Sequence, residues 1–184
     1  MRCTFVIFND YFKSSGIWYT FEAQRQIGLC EEKQVMSYIS EMRKQIGNAP
    51  ILTVGATVVV LKNNRILLNL RSDTHTWGIP GGAIELGETL EETAARELKE
   101  ETNLSAEGFS FLHLFSGPDF YFKYPNGDEL YSVVALYLAK GIHGEMKITD
   151  GESNELRFFG KDEMPTLENR AKKIIDWLFR ENLI

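Results

Sequence analysis

The segment "TLEETAARELKEET", Thr89 to Thr102, consists of strong helix formers with no interior glycine or proline, so an α-helix is its low-cost backbone state. Thr89 followed by Glu92 has capping-box spacing, which fixes where the helix starts. Leu90, Ala94 and Leu98 recur every four residues and give the helix a narrow apolar stripe. That stripe needs a partner, and runs rich in β-branched and aromatic residues lie both before and after the helix in the chain. The consequence is a helix packed on a sheet whose strands come from both sides of it.

The strand signals are "TVGATVVVL" and "RILLNL", separated by "KNN" and expected to form a hairpin, then "FSFLHLF", "FYFKY", "LYSVVALYLA" and "ELRFF". "PNGD" at residues 125–128 supplies a turn between two of them. "WGIPGG" reads as another turn. Leu167, Ala171, Ile174, Ile175 and Leu178 mark an amphipathic C-terminal helix. Strands and helices are mixed without strict alternation, so the expected class is α+β, a sandwich of helices on a mixed sheet.

Ahead of Pro50 the pattern changes. "TFVIF" and "IWYTF" read as two short strands over residues 4–22. Val35, Ile39, Met42 and Ile46 fall on one face of a helix expected from about Glu31 to Ile46 and stopped by Gly47. The division expected is an N-terminal strand and helix extension, 1–49, and a main domain, 50–184. A lone hairpin is marginal in water, so the extension is expected to dock on the body or on a second copy, making a homodimer.

An apolar fraction of 43% and a charged fraction of 25% are ordinary for a folded domain. The formal charge of −6 argues against a broad grip on nucleic acid. No apolar run reaches membrane-spanning length, and the first residues lack a secretory pattern. Cys3 and Cys30 give neither metal spacing nor a disulfide framework, and a cytoplasmic setting is the expectation.

An anionic ligand would then need a local cationic intermediary. Glu97, Glu100 and Glu101 share one sector of the acidic helix. Hard divalent cations such as magnesium prefer oxygen ligands, so these three carboxylates are candidate metal ligands, with the carbonyl of Gly82 a further one. Arg96 and Glu88 are candidates for an ion pair that orients them. Arg71, Tyr121 and Lys123 are the candidate substrate contacts. His75, His113 and His143 show no metal spacing, and neither a G-x-S-x-G elbow nor a P-loop lysine is present.

Gly82, Glu88, Arg96, Glu97, Leu98, Glu100, Glu101 and Leu104 fall at the spacing of the Nudix box. Six fixed residues at that spacing would arise by chance in about one chain in 10⁵, so the chain is identified as resembling the Nudix family over residues 82–104. Asn103 stands where the family has its last glycine, and asparagine is the residue that best replaces glycine in a left-handed helix cap. The resemblance implies an α/β/α sandwich and metal-dependent cleavage of a phosphoanhydride linked to a nucleoside diphosphate, with Mg²⁺ as cofactor and Mn²⁺ as substitute. It implies catalytic roles for Glu88, Arg96, Glu97, Glu100 and Glu101. The proton acceptor in the family is a box glutamate or one on a later loop, where Glu152 and Glu155 are the candidates. A small-molecule nucleotide is the expected partner, ADP-ribose the leading substrate, nucleoside triphosphates the second choice, and a non-catalytic nucleotide sensor a third.

Overall fold

The computed structural model describes residues 37–149 and 151–184. The hairpin expected over residues 4–22, both cysteines and residues 31–36 lie outside the described residues. Contacts gather Val35–Ile184 into one compact unit.

Helix α1 (Tyr38–Ile46) begins later than the sequence suggested. Ser37 has extended backbone angles, and its hydroxyl accepts from the Ser40 amide at 3.2 Å, which caps the first turn. Gly47, at φ 61°, closes it as expected. Arg43 fastens the helix to the body through the carbonyl of Glu129 at 2.7 Å and the carboxylate of Asp128 at 3.5 Å.

Strand β1 (Ile51–Val59) is followed by β2 (Leu61–Lys62), β3 (Arg65–Arg71), β4 (Trp77–Gly78) and β5 (Gly81–Ala83). After helix α2 (Leu90–Thr102) come β6 (Gly108–Phe115), β7 (Tyr121–Lys123), β8 (Glu129–Lys140), β9 (Ser153–Phe159) and helix α3 (Asn169–Arg180). One sheet runs β5-β1-β8-β6 with β7 also on β8; the other runs β2-β3-β4 with β9 on β3. β1 and β8 are parallel, Ile51 opposite Leu130 through Val59 opposite Leu138, while the other pairs are antiparallel.

Three sequence expectations change here. The hairpin turned by Asn63 and Asn64 joins β3 to β2, not to β1. Both asparagines have positive φ, as a two-residue hairpin turn of matching twist demands, and the apolar run ahead of them is long enough to serve two sheets in succession. "WGIPGG" is not only a turn but two short strands, with Gly81, Gly82 and Ala83 paired on β1. Leu167 precedes α3, bridges to Trp77 and leaves Glu168 as the cap, accepting from Arg170 N and Ala171 N.

Alternation along the strands divides the core. Val58 and Leu67 pack with Ala94 and Leu98 of α2, whereas Val59, Ile66 and Leu68 pack with Ile174, Ile175 and Leu178 of α3. The expected α/β/α sandwich results. Full burial of Leu98 stabilises the α2 contact by about 2 kcal/mol.

Helix α2 carries both halves of the capping box: Thr89 Oγ1 accepts from Glu92 N at 3.2 Å, and Glu92 accepts from Thr89 N at 2.8 Å. Asn103 sits in the left-handed region, φ 58° and ψ 8°, and its amide donates to Lys99 O at 2.9 Å. Thr89→Ala is expected to lower stability by about 1 kcal/mol, read as a lower denaturant midpoint at unchanged slope.

Candidate active site

The capped helix points its acidic sector at Arg96. Arg96 Nε donates to Glu88 Oε1 at 2.6 Å, Nη1 to Glu97 at 2.6 Å and Glu100 at 3.1 Å, and Nη2 to Glu88 Oε2 and the Ala83 carbonyl, both at 2.9 Å. One guanidinium therefore spans three carboxylates. Glu88 is held in turn by the Glu85 amide at 2.9 Å and the Thr93 hydroxyl at 3.0 Å. These hydrogen bonds, Arg96's foremost, hold the Glu88 carboxyl down at about 2, and the Glu88 contact raises the guanidinium above its ordinary range.

Glu97 behaves differently. Burial pushes its carboxyl up against the pull of Arg96, and the charges of Glu100 and Glu152 push the same way. Gly82 lies directly on it: a Cβ there would sit 2.2 Å from Glu97 Oε1. The glycine is thus required by the carboxylate rather than by its own backbone angles. Across the strand pair, a Cβ on Gly55 would meet the Gly82 carbonyl oxygen at 2.2 Å, so a second glycine lets β5 approach β1.

Glu101 is almost completely buried, at 6% exposure. Its Oε2 accepts from the Gly81 amide and from Asn69 Nδ2, each at 3.2 Å. The expected box residues Gly82, Glu88, Arg96, Glu97, Glu100 and Glu101 are therefore brought together. Glu152 is near enough for its charge to act on Glu97. Glu155 is instead 3.8 Å from Arg157 on the exposed side of β9.

A cavity of about 320 Å³ opens beside the Gly81–Gly82 strand. Arg71 lines it, gripped by Asp73 at 2.9 and 2.7 Å; burial opposes its charge, but Asp73, Tyr124 and Glu101 together hold it above its ordinary range. Tyr121 and Lys123 are not brought to the cavity. Both bind Glu129, at 2.9 and 2.8 Å, on the outer face of β7. Phe122, between them, faces the other way and stacks 4.4 Å from the Arg170 guanidinium, which lines the cavity with Ser132 and Glu168. Sequence reasoning missed Arg170, and also Asn69, although an asparagine interrupting the apolar run "RILLNL" was a visible signal.

Among the described residues no three acidic, histidine or cysteine side chains stand together as a ready metal cage. Arg96's cation instead bridges Glu97 and Glu100. The donors nonetheless suit a hard divalent ion: they are all oxygens, they repel one another, and the glycine backbone leaves Glu97 room.

The Glu88 contacts predict a pH dependence. Its folded pKa lies below the ordinary value of 4.5, so the stability it contributes is complete above pH 4.5 and lost as pH falls toward 2. Denaturant midpoints of wild type and Glu88→Gln are expected to differ at neutral pH and to converge across that window.

A NUDIX domain matches residues 51–178. An ADP-ribose pyrophosphatase of Methanocaldococcus jannaschii is 36% identical over 120 residues, which cover 64% of this chain and 67% of that protein. An oxidized purine nucleoside triphosphate hydrolase of Mus musculus is 33% identical over 113 residues, 59% of this chain and 66% of that one. The crystal structure of a MutT NUDIX hydrolase from Burkholderia pseudomallei aligns with a TM-score of 0.59 at 26% identity, covering 68% of this chain and 97% of that one.

Proposed function

The chain belongs to the Nudix family, and from that premise we propose that it hydrolyses the phosphoanhydride of a nucleoside diphosphate derivative, with ADP-ribose the leading substrate. One observation carries the reading: Arg96 gathers the carboxylates of Glu88, Glu97 and Glu100, Gly82 lies directly on Glu97, and Gly82 also lines the cavity that Arg71 lines. Similarity to the archaeal ADP-ribose pyrophosphatase supports the choice of substrate. The mouse relative favours nucleoside triphosphates as the second reading.

Glu97, Glu100, Glu101 and the Gly82 carbonyl are the groups that would hold divalent metal, Mg²⁺ with Mn²⁺ as substitute. Bound there, such an ion neutralises phosphate oxygens and makes water more acidic. The protein's own groups do the rest. Arg96 restrains Glu97 and Glu100, and the amides of Gly81 and Asn69 restrain Glu101. Arg71 supplies positive charge for the diphosphate from the cavity wall. Glu101 and Glu97 are the first candidates to accept a proton from the attacking water, and Glu152, whose charge reaches Glu97, is the candidate from the later loop.

A panel of nucleoside diphosphate derivatives and triphosphates, incubated with Mg²⁺, tests this. Release of a nucleoside monophosphate from ADP-ribose is the expected result. Cleavage confined to triphosphates would move the assignment to the second reading, and binding without cleavage anywhere on the panel would overturn it in favour of a sensor.

A further inference from the structure

Asn69 lies beneath the box without belonging to its pattern. Along β3, Ile66 and Leu68 face α3 while Leu67 faces α2, and the same alternation turns Asn69 toward α2. An apolar side chain would fit that rule. Instead an amide is buried there, at 4% exposure.

Its hydrogen bonds define its orientation. Nδ2 donates to Glu101 Oε2 at 3.2 Å and to Ser153 Oγ at 3.3 Å. The reverse orientation would set the amide oxygen against the carboxylate. Oδ1 is buried without a partner, an arrangement that costs stability. It faces Gly78, where a Cβ would stand 3.0 Å away, so the neighbouring strand has a glycine where the amide needs room. A side chain that costs this much and is accommodated this closely calls for a compensating role.

We propose that Asn69 is a positioning residue for Glu101. Its amide and the Gly81 N–H converge on one oxygen of that carboxylate, which fixes the direction the group presents to a divalent cation. The bond to Ser153, at the start of β9, ties the same carboxylate to the strand that follows Glu152. Glu101 and the Glu152 loop are thereby held in one frame by a neutral residue. Its neutrality matters, because an anionic side chain there would repel Glu101.

The inference rests on the proposed role of the box glutamates as metal ligands, and its test therefore reads metal directly. Mn²⁺ affinity is measured by electron paramagnetic resonance titration of the full chain as wild type, Asn69→Leu, Glu101→Gln and the double variant, with melting temperature alongside. Asn69→Leu keeps the size and removes the donors. It is expected to weaken Mn²⁺ binding about 10- to 100-fold and to lower kcat for ADP-ribose while KM stays near wild type. In the Glu101→Gln background it is expected to add almost nothing, because the effect passes through that carboxylate.

Unaltered Mn²⁺ affinity in Asn69→Leu overturns the inference and leaves the proposed function standing. So does an equal loss in both backgrounds, which would mark a purely structural role. Failure of the wild type to bind Mn²⁺ at all overturns both. Should Asn69→Leu not fold, Asn69→Ala, which removes the donor without adding charge, is read in the same cycle.

Discussion

Glu101→Gln is expected to lower hydrolysis of the best substrate by about 10³-fold, equivalent to about 4 kcal/mol of lost transition-state stabilisation. The fold should survive unharmed. Glu101 is buried, and its Oε2 accepts from the amides of Gly81 and Asn69. Glutamine keeps an oxygen to accept from those donors and removes the charge. The melting temperature should change by only a few degrees while turnover disappears. A turnover number within tenfold of wild type would show that another carboxylate does the work assigned to Glu101.

Gly82→Ala is the second large effect, and it separates activity from stability in a different way. The added methyl would lie 2.2 Å from Glu97 Oε1 and 2.5 Å from its carboxyl carbon. Those atoms end a flexible side chain, so Glu97 can swing aside at small cost to the fold. Swinging aside breaks its 2.6 Å contact with Arg96 and takes the carboxylate out of the acidic sector. Loss of activity by about 10²-fold or more is expected, with the melting temperature changed by only a few degrees. Gly55→Ala provides the contrast. There the methyl would strike the backbone oxygen of Gly82 at 2.2 Å, which cannot move without parting β5 from β1. Its expected signature is a large drop in melting temperature. Equal thermal losses in the two variants would refute the distinction.

What could be read from the chain was what is decided locally. The extent of α2, its Thr89–Glu92 cap and the left-handed Asn103 all depend on residues within a turn of one another, and all are found as expected. Strand pairing is not local. Nothing in "TVGATVVVL" announces that it lies parallel to "LYSVVALYLA", some eighty residues away, rather than against the nearer "RILLNL".

The same distinction runs through the site. The spacing from Gly82 to Leu104 named the box, but the reason for its glycine, contact with Glu97, exists only once β5 meets α2. For Tyr121 and Lys123 the difficulty was the two-residue period of a strand. In a three-residue strand with an aromatic residue on each face, sequence does not say which face turns inward, and here Phe122 does. Asn69 was visible as a polar interruption in an apolar run. Its partner on another element was not.

The Arg96 fork bears on the order in which the protein is made ready for work. A chain whose acidic turns were left to repel one another would have to await an ion before it could settle, as small zinc-dependent domains do. This one brings its own provisional counter-ion, covalently attached and placed among Glu88, Glu97 and Glu100. Maturation can accordingly run in two independent stages, shape first and loading afterwards. On the proposed function, a cell short of divalent ions would hold a stock of finished but idle molecules rather than unfolded ones.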